Sequence, residues 1–263
     1  MTDNVQFGKR RTNRSLRLSM SLAGAAAFAL IGCSDQQADS GCSQPHGALV
    51  PAYLPPAGLR QLVAQPDPTR LVVINPDNGP GSALDPEYAD VIDQLRDAGT
   101  RVLGYVATGY ATRDPEVVRR EVARYASWYK IDDLFVDEVS SDEASLPYYT
   151  ALSATLRRTN RLLAFNPGMV PAGGYFGLAD IVVTFEGSFA EYRAAQTPAP
   201  APVNGVPRTR TAHLVFGATD DQAIEVAAGK RADYVYATSG TFPNPWSTLA
   251  SSFTDQQSRL AAC

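Results

Sequence analysis

Cysteine and histidine are scarce in this chain: 263 residues hold 3 Cys and 2 His. So few cysteines rule out a disulfide-dense mini-scaffold. His46 and His213 are far apart in the sequence, the first ahead of the folded region and the second inside a strand pattern where a packed, hydrogen-bonded imidazole is expected. A His-rich metal site and a Ser-His-Asp arrangement are therefore excluded. Basic excess is missing too: 23 Lys and Arg stand against 27 Asp and Glu, for a net charge of −4, where nucleic-acid binders concentrate positive charge on one face. No nucleic-acid partner is expected. Nor is there a low-complexity bias or a short-period repeat: 44 % hydrophobic residues, 20 Gly and 19 Pro are ordinary globular usage, which excludes disorder, collagen and coiled coil. Glycines occur in Asn78-Gly79-Pro80-Gly81 without a following Lys-Ser/Thr, so a turn lining a groove is expected there instead of a phosphate cradle.

The front of the chain reads as an address. Lys9, Arg10, Arg11, Arg14 and Arg17 precede an apolar stretch from Leu18 to Gly32, the pattern of a signal peptide. A run of about 15 residues is short for a permanent span, which needs roughly 18 to 20. It ends in Leu30-Ile31-Gly32-Cys33, which looks like a bacterial lipobox and predicts cleavage before Cys33 and lipidation of that cysteine. Residues 1–32 are thus a lipoprotein signal peptide, 33–47 a flexible tether, and 48–263 the folded domain. Loss of residues 1–32 leaves 18 basic against 26 acidic residues, or −8: an acidic exported protein, lipid-anchored in the bacterial envelope and expected to be a monomer. Cys42 and Cys263 then flank the domain. An oxidising compartment permits a bridge between them that staples the ends together.

Short β-branched runs recur through the domain: Leu49 to Leu54, Arg70 to Asn75, Arg101 to Ala107, Asp133 to Asp137, Arg161 to Asn166, Asp180 to Glu186, Ala212 to Gly217 and Asp233 to Thr238. Helical spacing lies between several of them, at Pro86 to Ala98, Pro115 to Tyr129, Leu146 to Arg158 and Asp220 to Ala228. Asp85-Pro86 and Asp114-Pro115 read as N-caps followed by a first-turn proline, and Gly99 as a stop. Near-continuous apolar strands alternating with amphipathic helices predict a parallel sheet covered by helices. Eight such units close as a single-domain α/β fold, a (β/α)8 TIM barrel. A doubly wound open sheet is the rival, but the phosphate-binding glycine pattern is missing after its first strand. The Pro/Ala-rich stretch Gln196 to Val203 reads as a stiff loop.

Barrel enzymes carry their chemistry at the C-terminal ends of strands. Here those ends hold Asn75 and Asp77, the pair Asp137-Glu138, Asn166, and Glu186. Two carboxylates on neighbouring strand ends suit glycosidic cleavage, where one acid protonates the leaving oxygen and one carboxylate attacks or activates water. Asp137 and Glu186 are the first pair. Side chains alternate along a strand, so Asp137 and Glu138 start in opposite directions unless a bend past the strand end aims both into the groove. Tyr53, Tyr105, Tyr110, Tyr148, Tyr149, Tyr175 and Trp246 lie near strand ends or rim loops and suit stacking on sugar faces. Asn75, Asp77, Tyr53, Tyr105, Tyr110, Asn166 and Trp246 are the candidate substrate contacts. No cofactor is expected, although Asp77, Asp137, Glu138 and Glu186 have the chemistry to meet a hard cation.

At these residues the chain resembles the spherulin-4 family of glycoside hydrolases, from Leu49 to about Phe253. The resemblance is carried by Val50-Pro51-Ala52-Tyr53, Asn75 to Gly81, Gly104 to Tyr110, Trp128-Tyr129, Phe135-Val136-Asp137-Glu138, Asn166-Pro167-Gly168 and Thr184 to Ser188. It implies a (β/α)8 barrel and an endo-acting hydrolase of galactosaminogalactan-like polymers, cutting α-1,4-linked N-acetylgalactosamine. The family's acidic groove residues carry over to Asp137, Glu138 and Glu186. Asp137 is favoured as nucleophile or base, Glu186 as acid, and Glu138 holds or tunes one of them. The lipobox departs from a fungal secreted form. Two alternatives stay open at this point: a non-catalytic polysaccharide-binding lipoprotein, and a metal-assisted barrel enzyme acting on polysaccharide.

Overall fold

The computed structural model describes residues 46–157, 162–195 and 210–262. The signal segment, the tether up to residue 45, Cys33, Cys42, Cys263 and the Gln196 to Val203 stretch lie outside the described residues. Eight strands form one parallel sheet in sequence order: β1 (Leu49–Ala52), β2 (Leu71–Ile74), β3 (Arg101–Ala107), β4 (Asp133–Asp137), β5 (Leu163–Phe165), β6 (Ile181–Ser188), β7 (Arg210–Phe216) and β8 (Tyr234–Ala237). The helices are α1 (Pro56–Val63), α2 (Pro86–Asp97), α3 (Pro115–Tyr129), α4 (Leu146–Leu156), α5 (Phe189–Ala194), α6 (Asp220–Gly229) and α7 (Phe253–Ala261). This is the TIM-barrel arrangement, nearly closed, and its β5 to β6 crossover carries only a 3-10 turn at Gly173–Gly177.

Local sequence sets the helix starts. Asp85 accepts from the backbone N–H of Glu87 at 2.8 Å, Asp114 accepts from Glu116 at 2.9 Å, and a proline follows each cap. Both caps were legible in the sequence. Gly99 ends α2 with φ at +80°, a conformation glycine adopts without steric cost. Helices α1, α5 and α7 are 8, 6 and 9 residues long, too short to show a clear apolar period in the sequence. Strand limits shift by a residue or two: β1 stops at Ala52 and β7 begins at Arg210.

Closure depends on Gly47 and α7. Gly47 donates to the Asp233 carbonyl and accepts from Val235 N–H, both at 3.0 Å, which joins the two ends of the sheet. Val235 faces β1, so by alternation Ala237 does too. Beyond the bridge it is the buried Gln256 of α7 that meets Ala237: its Oε1 accepts from Ala237 N–H at 3.0 Å and its Nε2 donates to Ala237 O at 2.9 Å. A side-chain amide thus stands in for a strand where β1 and β8 part, and pairs both backbone groups of Ala237.

The core fills both the barrel and the layer between strands and helices. Tyr105 stacks on Phe135 inside, with ring centroids 6.5 Å apart. Outside, Tyr125 of α3 lies against Gly104, where an added Cβ would come within 2.7 Å of the ring. Tyr149 and Tyr175, expected at the rim, are instead fully buried in this outer layer, 5.4 Å apart between centroids. Tyr148 packs beside them and donates to the Arg113 carbonyl at 2.9 Å. Helix α4 turns Tyr148 and Tyr149 toward the core, and the 3-10 turn at Gly173–Gly177 does the same for Tyr175.

Candidate active site

At the C-terminal end of the barrel a groove of about 710 Å³ opens. Strands β1 to β7 supply its floor and walls through Tyr53, Asn75, Tyr105, Asp137, Asn166, Glu186 and Phe216. These are the inward positions at, or just past, each strand end.

Asp137 and Glu186 meet through Asn166. Its Nδ2 donates one hydrogen to Asp137 Oδ1 at 2.8 Å and the other to Glu186 Oε2 at 2.6 Å. Oxygens held by one nitrogen at those lengths stand no more than about 5.4 Å apart. The amide is oriented by its own turn: Asn166 Oδ1 accepts from Gly168 N–H at 3.0 Å, and Gly168 adopts φ of +69°. This Asx-type turn fixes which end of the amide faces the acids. Asn75 repeats the device, with Oδ1 taking Gly79 N–H at 2.8 Å so that its NH2 is the end offered to the groove.

A bulge aims Glu186. The register of β6 against β7 slips between Val183 and Phe185, so Thr184 opposes no residue of β7. Every later side chain is turned over by such an insertion. Glu186 consequently falls on the barrel side with Val183, while Phe185 faces out against Tyr192 and His213, with centroids 5.1 and 6.0 Å away. Strict alternation along β6 would have turned Glu186 toward the helices. The Thr184 hydroxyl, at the bulge, is buried without a hydrogen-bond partner.

Glu138 reaches the groove by the bend that alternation required. It adopts φ of +50°, outside the strand, and lines the groove together with Asp137. Gly109 N–H donates to its Oε2 at 3.1 Å, and Tyr110 N–H to its carbonyl at 2.7 Å. Gly109, Tyr110 and Ala111 are themselves left-handed in succession, at φ of +57°, +54° and +68°. For residues other than glycine this costs about 1 to 2 kcal/mol each. The buried pair Thr108 and Tyr149, 2.9 Å between hydroxyls, pins the turn: Thr108 Oγ1 donates to Glu138 O at 2.7 Å.

Burial raises both central carboxyls above their ordinary range. For Asp137, burial is opposed by donors from Glu138 N–H, the Tyr105 hydroxyl and Asn166, while the charge of Glu138 adds to the rise. For Glu186, burial is opposed by Asn166 and Trp246 and reinforced by Asp137. Trp246 Nε1 donates to Glu186 Oε1 at 3.2 Å. The phenols of Tyr53 and Tyr105 are raised as well, by burial first and then by Asp137. Such a pair titrates as a unit, and its more donor-rich member, Asp137, is the better placed to stay ionised.

Of the residues singled out in the sequence, Tyr53, Asn75, Tyr105, Tyr110, Asp137, Glu138, Asn166, Glu186 and Trp246 all line the groove. Asp77 does not: it stands exposed on the turn after β2, outside the lining. That turn doubles back, with Asp77 N–H donating to Gly79 O at 3.2 Å, and leaves Asn75 and Asn78 as the groove contacts. Among the described residues no group of three or more His, Cys, Asp or Glu is arranged to hold a metal ion. His213 is packed in the outer layer, its Nδ1 3.4 Å from the Tyr192 hydroxyl, and burial lowers its pKa to about 4. Sequence reasoning missed Phe216, Phe242, Asn244 and Glu191, which also line the groove. Alternation from Leu214 marks Phe216. Only the Pro-flanked aromatics of the loop after β8 hint at Phe242, and the Ser188 to Glu191 spacing signals a capping box, which is also present.

Comparison with known proteins matches residues 48–259 to Spherulin4, the spherulation-specific family 4. Spherulin-4 of Physarum polycephalum is 32 % identical over 151 residues, which are 55 % of this chain and 46 % of that protein. The match thus spans about half the length of that curated relative. Among solved structures, Aspergillus clavatus Sph3 in complex with GalNAc has a TM-score of 0.72 at 23 % identity, covering 84 % of this chain and 99 % of the Sph3 chain. At that identity the likeness speaks for the fold.

Proposed function

Since this chain belongs to the spherulation-specific family 4, we propose that it is an endo-acting glycoside hydrolase of α-1,4-linked N-acetylgalactosamine or galactosamine exopolysaccharide. The observation that carries the proposal is the Asn166 bridge, which holds two half-buried carboxyls close together on the floor of an open groove. The GalNAc bound in the structurally similar Sph3 supports the choice of sugar.

A separation of at most about 5.4 Å between the bridged oxygens suits the retaining geometry, about 5 to 5.5 Å, better than the inverting one, which needs more than about 6.5 Å. In the first step the Asp137 carboxylate attacks the anomeric carbon as the bond to the leaving oxygen breaks, and Glu186 gives its proton to that oxygen. In the second, Glu186 takes a proton from water, the hydroxide adds to the anomeric carbon, and the ester to Asp137 breaks. Asn166 follows both groups through the cycle, since its NH2 hydrogen-bonds each of them. Glu138, whose charge bears on Asp137, keeps that end of the groove negative.

Export and anchoring through a lipidated Cys33 complete the proposal, resting on the basic, apolar and Leu-Ile-Gly-Cys pattern of residues 9–33. The test is incubation with acetylated and with deacetylated galactosaminogalactan, followed by mass analysis. Internal oligosaccharides with new reducing ends are expected, and polymer left intact in both forms would refute the activity.

A further inference from the structure

Among the described residues the large apolar side chains left exposed are Leu84, Tyr110, Met169, Val170 and Phe242. Each lies on a loop that leaves the C-terminal end of a strand: β2, β3, β5 and β8. Scattered exposed apolar residues need no explanation, but their confinement to loops at one end of the barrel does.

Tyr110 and Phe242 line that groove, at 64 % and 75 % exposure. Phe242 stands edge-on to Phe216, centroids 5.1 Å apart, and Phe216 edge-on to Trp246 at 6.4 Å. Trp246 in turn donates to Glu186, so a chain of rings runs from that carboxyl out to solvent. On the other side Tyr110 sits at the centre of the left-handed turn, its N–H held by the Glu138 carbonyl beside Asp137. An exposed ring fixed by strained backbone contributes little to the fold; its placement answers to something that arrives from outside.

We propose that Phe242 and Tyr110 are the stacking walls of two outer sugar-binding positions, beyond the two sugars joined by the cleaved bond, Phe242 on the Glu186 side and Tyr110 on the Asp137 side. Each ring takes the apolar C–H face of a pyranose while the sugar's hydroxyls stay in water or meet the groove's polar groups. This rests on the glycosidase activity proposed above and adds that the substrate must extend in both directions from the cleavage point.

The test uses the full chain and α-1,4-linked N-acetylgalactosamine oligomers of graded length. Phe242→Ala and Tyr110→Ala should each raise KM on long oligomers roughly tenfold, with kcat within about twofold and Tm unchanged. The penalty should vanish on the shortest oligomer cleaved, the product sizes should shift, and Phe242→Tyr should restore the wild-type KM. Wild-type KM in both Ala variants at every length would overturn the proposal, as would a loss of kcat and Tm together that is the same at every length. If the unaltered protein cleaves neither oligomers nor polymer, the glycosidase activity itself falls and takes these positions with it.

Discussion

Strand β4 begins with Asp133 and ends with Asp137, and the two carboxyls are treated in opposite ways. Asp133 is paired with the Arg101 guanidinium and accepts from Leu162 N–H at 2.7 Å. Its counterparts at this end of the barrel do the same: Asp180 accepts from Leu163 N–H at 2.8 Å and pairs with Arg157 at 3.2 Å, and Asp233 accepts from Thr211 N–H at 2.8 Å. Each ties a strand start to its neighbour's backbone or to a cation. Asp137 and Glu186, at the far end, are half-buried and share the hydrogens of one amide. The same residue type therefore secures the sheet at one end and stores unfavourable burial at the other, which is how a stable barrel carries a reactive site.

Exchanging charge for an isosteric amide at the two ends should separate these roles most sharply. Asp137→Asn or Glu186→Gln should cut turnover of the polymer by roughly 10³- to 10⁴-fold, with Tm unchanged or raised. Asp133→Asn should leave turnover within about twofold and lower stability by about 1 kcal/mol. Reducing-end assays and thermal melts on the three variants decide it. A Tm loss at Asp137 equal to that at Asp133 would erase the contrast.

Asn166 comes next, because it belongs to the reactive end yet carries no charge. Asn166→Ala removes both bridging hydrogens and leaves Gly168 N–H without its acceptor. Turnover should fall about 10²-fold, and the pH–rate profile should move to higher pH, because the lost amide hydrogens held down the pKa of both carboxyls. An unchanged profile would reduce Asn166 to a structural turn residue.

Fold and site are not equally legible in the sequence. The strands announced themselves as β-branched runs because a parallel sheet buried on both faces needs an apolar residue at nearly every position. Asp137 and Glu138 are legible as acids at a strand end, and alternation requires the bend at Glu138 for both to reach the groove. The direction of Glu186 was not legible, since it depends on the Thr184 bulge, and the Thr184-Phe185-Glu186 run carries no Gly or Pro to mark one. Asp77 failed for the complementary reason: a doubling turn carried it away from the rim that its neighbour Asn75 occupies. Alternation rules govern regular strands, and the site is built where the strands stop being regular.

Arg70 tests the stable end by itself. Its guanidinium is fully buried, donates to Leu62 O at 2.9 Å and to Thr100 Oγ1 at 2.7 Å, and lies over the Phe253 ring at 5.8 Å. It thereby joins the end of α1 to β2, β3 and α7. Arg70→Met should cost about 2 to 3 kcal/mol, since it removes the guanidinium's hydrogen bonds to Leu62 O and Thr100 Oγ1 and its contact with the Phe253 ring, and should lower Tm by about 5 to 10 °C. Turnover at 25 °C should be unaffected, because Arg70 lies at the barrel end away from the groove.

The smallest effect is the most specific to the comparison, since it reads the reactive end through stability instead of rate. Asp137 and Glu186 have folded-state pKa values raised, by burial above all, over the unfolded values of 3.8 and 4.5. For a raised carboxyl the folded state binds the proton more readily than the unfolded chain does. The favourable contribution is therefore complete below the unfolded pKa and is lost as pH rises through the folded one. A double variant, Asp137→Asn with Glu186→Gln, cannot ionise at these positions and escapes that loss. Its Tm should exceed that of the unaltered protein at pH 7, and the difference should shrink toward zero as pH is lowered to about 4. A difference that is constant with pH, or that grows in acid, would mean the pair is held as comfortably as Asp133, and the distinction between the two ends of the barrel would be lost.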